Sequence, residues 1–395
     1  MAPTILCIAT YRKGDEFLRE CRRQGCRVLL LTEEKLRDSD WPRDSVDEFF
    51  YIRRDMPPED IRKGAAFMAR TERIDRIVAL DDFDVDLAAM LREYLQVPGM
   101  GETTARAFRD KLAMRVRARA AGIPCPKFVH ALNHRAIAEW IETTTPPWVL
   151  KPRGQAAAIG IRKLANAEEL WRAIDTLGDA HADHVLEQFV PGDVFHVDSI
   201  VFEGQVRFAM ASRYRTPPMA VAHEGGIFVT QTLSFRDPAT APLRELNARV
   251  LNTFGLVRGA SHTEFIRGAD SWHFLETSTR VGGAYIVDVV EAASGINLWR
   301  EWAKAEIAGS GGAYELPPIR DLHAGIVLSL ARQPNPDMSG YTDSEIVTRV
   351  RKSHHAGLIV ASPDPARVDH LLDDYTRRFA VDFHATAPPP ARAVE

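Results

Sequence analysis

Two carboxylates occupy β-like apolar surroundings in the second half of the chain. Glu264 stands between a threonine and a phenylalanine, and Glu276 directly follows the apolar run 272–275. The segment 262–283 is therefore predicted to form two short strands joined by a turn, with one acid on each strand. A divalent cation held by both acids compensates their mutual repulsion and their lost hydration. The pair predicts a metal site, although acids beside a hairpin turn are also common on protein surfaces.

The residues that follow the second acid suit a phosphate group. Arg280 comes four positions after Glu276, and the pair Gly282 and Gly283 comes next. A guanidinium offers bidentate hydrogen bonds to phosphate oxygens, and glycine leaves the backbone open to close approach. These residue types favour a metal–phosphate site.

The composition limits the classes of protein that could carry such a site. The chain has 395 residues, 45% of them hydrophobic and 26% charged, which indicates a globular protein of two or three packed units. A net charge of −4 without a long basic run does not favour a nucleic-acid or anionic-membrane surface. No apolar run approaches membrane-spanning length. The four cysteines lack metal-ligand spacing, so we interpret them as reduced thiols of a cytoplasmic protein.

The first hundred residues predict a doubly wound α/β domain. Apolar runs at 4–10 and 27–32 are typical of buried parallel strands, with a helix-compatible segment between them. The turn after the first run lacks the three-glycine dinucleotide fingerprint, so no nicotinamide or flavin is assigned. Four aspartates between residues 81 and 86 follow a later strand, where they could bind an amine or a metal or cap a helix.

The middle of the chain predicts an α+β region. Residues 103–121 are predicted to form one long helix, and 148–151 a strand that ends at a proline. The segment 154–160 is made mostly of small residues, which suits a mobile loop whose amides close over an anion, or simply a tight β-turn. Residues 216–226, with two prolines and two glycines, are predicted to be a loop.

Taken in order, these features resemble the ATP-grasp superfamily. The resemblance covers roughly residues 1–310 and is carried by several motifs in a specific order and spacing. They are Asp110-Lys111, Gly122-Ile-Pro-Cys-Pro126, Val149-Leu-Lys-Pro152, the small-residue loop, Glu187-Gln-Phe-Val-Pro-Gly-Asp193, Glu264, and Glu276-Thr-Ser-Thr-Arg-Val-Gly-Gly283.

The resemblance implies a nucleotide-binding role for residues on the phosphate and adenine sides. Lys111 and Lys151 match the two lysines that hold the nucleotide phosphates. The segment Glu187, Gln188, Phe189 and Val190 matches the hinge that reads adenine through its backbone, and Asp193 matches the acid that contacts the ribose hydroxyls. Ala157 and Ala158 stand where the family's flexible phosphate loop often has a serine, so the loop's contacts with anions would come from its backbone.

The resemblance also implies a magnesium site and a catalytic arginine. Glu264 and Glu276 match the two magnesium ligands, and Ser278 stands where the family usually has a third ligand, an asparagine. A hydroxyl is a weaker ligand than an amide oxygen, although a water could bridge the gap. Arg280 matches the arginine that steadies the transferred phosphoryl group.

The implied architecture is α/β and α+β, an ATP-grasp fold with an N-terminal doubly wound pre-ATP-grasp domain. We expect that domain at 1–102, and a linker helix with the central lid at 103–193. The ATP-binding domain with the metal site is expected at 194–310, followed by a C-terminal α/β subdomain at 311–387. The remaining residues, 388–395, are expected to be a disordered tail.

The implied activity is ATP-dependent ligation of a carboxylate to an amine, with ATP and Mg²⁺, or Mn²⁺ in its place. A carboxylate attacks the γ-phosphate, and an amine then displaces phosphate from the acyl phosphate to form an amide. The expected partners are small-molecule carboxylates and amines, with amino acids as the favoured substrates and without nucleic acid or membrane, and a homodimer is compatible with the sequence. Arg213, Arg215 and Glu224 could hold substrate carboxylate and ammonium groups, or form loop salt bridges.

Two alternatives remain open from the sequence. A carboxylase of the biotin-dependent type has a similar layout and predicts bicarbonate-dependent ATP hydrolysis. A non-catalytic ATP-binding regulatory protein on the same fold predicts nucleotide binding without turnover.

Overall fold

The computed structural model describes residues 2–156, 158–309 and 311–386, apart from the side chains of His223 and Glu224. The predicted tail 388–395 therefore lies outside the described residues. Within the described part, no helix combines the length and the apolar character needed to cross a membrane.

The N-terminal region forms a four-stranded parallel sheet with the order β3-β2-β1-β4. Its strands are β1 (Thr4–Ala9), β2 (Arg27–Glu33), β3 (Glu48–Ile52) and β4 (Arg76–Ala79), and its helices are α1 (Asp15–Arg23), α2 (Pro58–Met68) and α3 (Val85–Leu95). β1, β2 and β4 are almost fully buried, which explains their continuous apolar runs. The predicted α/β opening is confirmed, and β3 is an additional strand at the sheet edge.

The predicted single helix over 103–121 is wrong. The structure has α4 (Glu102–Arg109) and α5 (Lys111–Ala120), with Asp110 between them in an extended conformation. The Asp110 carboxylate accepts hydrogen bonds from the N–H groups of Leu112 and Ala113. Asp110 therefore caps the start of α5, because its side chain satisfies N–H groups that lack a partner within the helix.

The central region is a small antiparallel sheet with the order β5-β8-β6-β7. It comprises β5 (Phe128–His130), β6 (Trp148–Pro152), β7 (Arg162–Leu164) and β8 (His184–Gln188), with α6 (His134–Thr143) and α7 (Ala167–Leu177) beside it. Apolar side chains of these helices pack with Trp148, Leu150 and Leu186 to form a separate small core. The small-residue loop joins β6 to β7 and so lies at the edge of this sheet.

The remaining strands form one eight-stranded antiparallel sheet with the order β13-β12-β9-β10-β11-β14-β16-β15. The strands are β9 (Asp193–Phe202), β10 (Gln205–Tyr214), β11 (Phe228–Thr232), β12 (Gly259–Arg267), β13 (Trp272–Ser278), β14 (His323–Leu330), β15 (Ile346–Arg349) and β16 (His355–Ser362). The region 311–387, predicted as a C-terminal α/β subdomain, contributes β14, β15 and β16 to this same sheet because β14 pairs with β11.

Five helices accompany the large sheet: α8 (Pro218–Glu224), α9 (Thr240–Phe254), α10 (Ile286–Ser294), α11 (Leu298–Ala308) and α12 (Pro365–Asp382). The prediction that 216–226 is entirely a loop is wrong, since α8 lies within it. Its two prolines stand at the N-terminal end, where proline is tolerated, and Gly225 ends it with a positive φ of 67°.

One continuous apolar core joins the N-terminal sheet to the large sheet. It includes side chains of β1 and α1, of α10 and α11, and of β9 and β10. Phe17 of α1 meets Trp302 of α11 edge to face, with ring centroids 5.2 Å apart. This packing fixes the carboxyl ends of the parallel strands relative to the β12–β13 hairpin, where the site residues lie.

Candidate functional site

The hairpin β12–β13 places the two predicted metal ligands directly opposite one another. Glu264 pairs with Glu276, and two positions along, His262 pairs with Ser278. Directly opposed residues on antiparallel strands point to the same face of the sheet. The predicted hairpin with one acid on each strand is confirmed, and its register brings Glu264, Glu276 and Ser278 to one surface.

Lys111 lies beside this acidic pair at the start of α5. Its Nζ is 3.0 Å from Glu276 Oε2 and donates to the backbone carbonyl of Gln155 at 2.6 Å. Burial raises the pKa of Glu276, but the charges of Lys111 and Lys151 outweigh it and lower that pKa to about 2. Glu276 is therefore ionised at neutral pH, and Lys111 connects it to the small-residue loop.

Lys151 on β6 belongs to a second, fully buried charge cluster. Its Nζ is 2.8 Å from Glu187 Oε2, while Arg115 Nε is 2.9 Å from Glu187 Oε1. Burial lowers the pKa of Lys151 to about 8, despite the opposing attraction of Glu187. Burial raises the pKa of Glu187, but Arg115 and Lys151 outweigh it and lower that pKa overall. The Glu187 side chain therefore serves as the counter-ion of two cations.

The predicted hinge, 187–190, comprises the last two residues of β8 and the two residues that follow it. The N–H groups of Gln188 and Phe189 donate to the carbonyls of Lys127 and Pro147, at 2.8 and 3.1 Å. Within the described residues, no protein hydrogen bond is made by the N–H of Val190, so this amide is available to a ligand.

Asp193 and Arg213, predicted for different roles, lie together at the end of this hinge. Arg213 Nη2 is 2.7 Å from Asp193 Oδ2, and both side chains are about half exposed. They form a surface ion pair near the predicted ribose position.

Arg280 follows β13 and lies on the side that faces the N-terminal sheet. Its Nη1 donates to the backbone carbonyl of Val281 at 2.7 Å. Across from it, Asp81 at the end of β4 is ion-paired with Lys13. Burial raises the pKa of Asp81, but Lys13, a backbone hydrogen bond and the charge of Arg280 outweigh it and lower that pKa. The arginine therefore lies between the hairpin and the carboxyl edge of the parallel sheet.

Arg215 does not join these residues. Its guanidinium is ion-paired with Asp369 and Asp373 of α12 and hydrogen-bonded to Gln231 on β11. In this structure it ties the large sheet to α12. The side chain of Glu224, predicted to hold a substrate ammonium group, lies outside the described residues.

The small-residue loop is held to the helix pair α4–α5 at several points. Arg109, ion-paired with Asp82, donates to the carbonyl of Gly154 at 2.8 Å. Arg153 forms an ion pair with Asp110, the α5 cap. Ala157 lies outside the described residues, and Ala158 has a φ of 57°, in the left-handed region. The first residues of the loop thus contact both helices: Gly154 is bonded to Arg109 of α4, and Gln155 to Lys111 of α5.

The sequence interpretation missed a buried polar cluster behind Glu264. His196 and Asp198 on β9 and His262 on β12 lie with ligand atoms within 4.8 Å of one another. Burial lowers the pKa of His262, but Asp198 outweighs it and raises that pKa to about 9. Burial raises the pKa of Asp198, but the two histidines outweigh it and lower that pKa. Polar residues at alternate positions of a buried strand were the available signal.

The chemistry of the Glu264–Glu276 pair fits a hard divalent cation. Both groups supply carboxylate oxygens, which Mg²⁺ prefers, and they share one face of the hairpin. Glu276 remains ionised through Lys111 and Lys151. Ser278 on the same face adds a hydroxyl oxygen. The residues therefore fit the predicted ion, with two carboxylates as its main protein ligands.

Comparison with known proteins supports the fold. No protein-family model matches the chain. It is 28% identical over 233 residues to the L-arginine-specific L-amino acid ligase of Bacillus subtilis, an alignment that covers 57% of this chain and 56% of that protein. The chain thus spans about half the length of that relative.

Solved structures resemble almost the whole chain. The L-amino acid ligase of Bacillus licheniformis superposes with a TM-score of 0.75 at 18% identity, covering 97% of this chain and 98% of that one. The biotin carboxylase domain dimer of 2-oxoglutarate carboxylase from Hydrogenobacter thermophilus, with MgADP, ADP and bicarbonate, gives 0.70 at 16% identity, covering 97% and 91%. The predicted ATP-grasp fold is confirmed.

Proposed function

We propose that this chain, which has the ATP-grasp fold, is an ATP-dependent carboxylate–amine ligase that joins amino acids. In the proposed reaction, a substrate carboxylate attacks the γ-phosphorus of ATP and ADP leaves. The amine of the second substrate then displaces phosphate from the acyl phosphate, giving an amide. The observation that carries the proposal is the opposed pair Glu264 and Glu276, with Lys111 at its side.

The phosphates of ATP would be held by cationic side chains of this protein. Lys151 and Arg115 share one carboxylate, Glu187, so this buried cluster keeps one uncompensated positive charge. A bound phosphate would supply the missing negative charge at low desolvation cost, because these groups are already buried. Lys111 and Arg280 would bring two further positive charges from α5 and from the end of β13.

A bound Mg²⁺ would neutralise charge on the phosphate oxygens during transfer, and Glu264, Glu276 and Ser278 would hold it. Lys111 is ion-paired with Glu276 in this structure, so its ammonium is within reach of the same phosphates. The ligase chemistry therefore requires positioning and charge more than covalent participation of the protein.

The hinge and the small-residue loop would complete the nucleotide site. The N–H of Val190, which has no partner among the described residues, suits an adenine ring nitrogen. Asp193 directly follows Pro191 and Gly192 at the start of β9, where a ribose hydroxyl could reach it. The loop 154–160 leads out from β6, and closing it over the phosphates would exclude water from the acyl phosphate.

Amino acids are the favoured substrates because a relative that aligns with 57% of this chain is named an L-arginine-specific L-amino acid ligase. Arg213 could hold a substrate carboxylate if it left Asp193. Arg215 is less suited to such a role, since two carboxylates of α12 and a glutamine already occupy its guanidinium.

A screen of Mg·ATP-dependent phosphate release tests the proposal. The wild-type protein is incubated with pairs of amino acids, with single amino acids, and with bicarbonate, and dipeptide products are identified by mass spectrometry. We expect ADP, phosphate and dipeptide in equal amounts. Glu276→Gln should abolish the product, and Glu168→Gln, at an exposed ion pair of α7, should not.

Three other results would contradict the ligase proposal. Hydrolysis stimulated by bicarbonate alone would favour the carboxylase alternative. Nucleotide binding without turnover on any pair would favour a regulatory protein. Equal turnover by wild type and Glu276→Gln would remove the metal site from the reaction.

A further inference from the structure

Three buried polar residues line up beneath Glu264 across two neighbouring strands. In the pairing of β9 with β12, Asp198 is opposite His262, and His196 is opposite Glu264. Relative exposures are 1% for His196, 0% for Asp198 and 8% for His262. All four residues point to the face that carries the proposed metal ligands, because strand neighbours two positions apart share a face.

Asp198 holds both histidines by the same ring atom. Its Oδ2 is 2.6 Å from His196 Nδ1, and its Oδ1 is 2.8 Å from His262 Nδ1. The Nε2 atom of each ring faces a buried hydroxyl group. His196 Nε2 is 2.8 Å from the hydroxyl of Thr230, and His262 Nε2 is 3.4 Å from the hydroxyl of Tyr214. Every ring nitrogen thus faces a protein group, which favours a hydrogen-bonded network over a metal ion bound within it.

The network ends on one oxygen of Glu264. The Tyr214 hydroxyl donates to Glu264 Oε1 at 3.0 Å, and His262 Nε2 is 3.6 Å from the same oxygen. In the part of the chain that the structure describes, Glu264 Oε2 accepts no hydrogen bond. The arrangement therefore orients the carboxylate and leaves its second oxygen for a ligand.

Asp198 also touches the loop that carries Arg280. A Cβ built on Gly282 would lie 2.9 Å from Asp198 Oδ1, so only glycine lets the loop approach this closely. The same buried carboxylate therefore lies close to two candidate functional elements, the strand of Glu264 and the loop of Arg280.

We propose that Asp198, His262 and Tyr214 are positioning residues that set the orientation of Glu264, and through it the affinity of the site for its divalent cation. The inference rests on the proposed function only in taking Glu264 as a metal ligand. Residues that orient metal ligands from behind commonly change metal affinity by about 10- to 100-fold when replaced.

The test measures Mn²⁺ affinity of the ADP-bound protein by electron paramagnetic resonance, without requiring turnover. We expect about 10- to 100-fold weaker Mn²⁺ binding in His262→Gln and in Asp198→Asn. Tyr214→Phe, which removes one hydroxyl and keeps the ring, should weaken it by about tenfold. Affinity for ADP in the presence of EDTA should stay within about twofold of wild type in all three, because the adenine and lysine contacts are untouched.

Thr263→Val is the matched control. Thr263 is buried on the opposite face of β12, where its hydroxyl is 2.8 Å from that of Thr277. This variant loses a buried hydrogen bond of the same hairpin, so it reports general loosening of the strands. It should bind Mn²⁺ like wild type.

The inference is overturned if Tyr214→Phe and a folded His262→Gln bind Mn²⁺ within twofold of wild type, or if Thr263→Val weakens binding equally. Absence of Mn²⁺ binding to wild-type protein with ADP would overturn it too. By contrast, a wild-type protein that binds Mn²⁺ and ADP but forms no amide contradicts the proposed function alone.

Discussion

Two clusters of buried charge flank the candidate nucleotide site, and they carry opposite surpluses. On the β6–β8 side, the cations Arg115 and Lys151 share one carboxylate, Glu187. On the β9–β12–β13 side, three carboxylates, Asp198, Glu264 and Glu276, are paired with two cations, Lys111 and the imidazolium of His262, whose pKa is raised to about 9. Buried charge is stable only when it is compensated, so each side is suited to a ligand of the opposite sign, phosphate on one and a divalent cation on the other.

Lys111 connects the two clusters. It comes from α5, the helix that also carries Arg115, yet its ammonium lies against Glu276 on the hairpin. Because it also donates to the carbonyl of Gln155, its position depends on the small-residue loop. We therefore expect nucleotide and metal to bind cooperatively, since Lys111 contacts both the hairpin and the small-residue loop and each ligand supplies the charge that one cluster lacks.

The largest expected effect comes from removing charge on the acidic side. Glu276→Gln keeps the shape of the side chain but removes a proposed metal ligand and the partner of Lys111. We expect ligase turnover to fall by at least about 10²- to 10³-fold. Steady-state ADP release with the best amino-acid pair measures this. Turnover within tenfold of wild type would place the metal elsewhere.

The corresponding change on the basic side should act on stability. Glu187→Gln leaves Arg115 and Lys151 buried without their counter-ion, and we expect the free energy of unfolding to fall by about 3–5 kcal/mol. Urea denaturation measures this. Glu168→Gln, the same substitution at an exposed pair with Arg172, should change it by less than about 0.5 kcal/mol. Equal losses of unfolding free energy in the two variants would mean that the buried ion pairs contribute no more stability than the exposed pair.

The pH dependence of nucleotide binding should report the charge of Lys151. The pKa of Lys151 is lowered to about 8, so the free protein loses this positive charge as pH rises through 8. A bound phosphate favours the charged form, so the dissociation constant for ADP should increase above pH 8, by up to about tenfold per pH unit. Calorimetry with EDTA present measures it.

Lys151→Arg provides the control for that titration. A guanidinium stays charged throughout the range, so this variant should show a flat pH profile between 7 and 9.5. A wild-type profile that is equally flat would show that Lys151 does not titrate in this window.

The smallest expected effect lies outside both clusters. Arg215→Ala removes the ion pairs with Asp369 and Asp373, and we expect about 1 kcal/mol of lost stability because those partners are largely exposed. The KM for either amino acid should be unchanged. A tenfold rise in one KM would restore Arg215 as a substrate ligand.

The sequence by itself determined several of the strands and many of the candidate site residues. Continuous apolar runs indicated the parallel strands, and acids in an apolar hairpin indicated the positions of Glu264 and Glu276. These features are local, because side-chain periodicity and turn residues report on a few neighbouring positions.

Only the tertiary structure decided which charges neutralise one another. Nothing local predicts that Glu187 binds Arg115, 72 positions away, or that Asp198 binds His262, 64 positions away. The register of β9 and β12 places Asp198 opposite His262, and the packing of α5 against β8 places Arg115 beside Glu187. The break between α4 and α5 was also missed, because an aspartate within a helical pattern becomes a cap only where the chain turns. Local sequence patterns indicate where the charged residues lie along the chain, whereas long-range packing determines which of them form ion pairs.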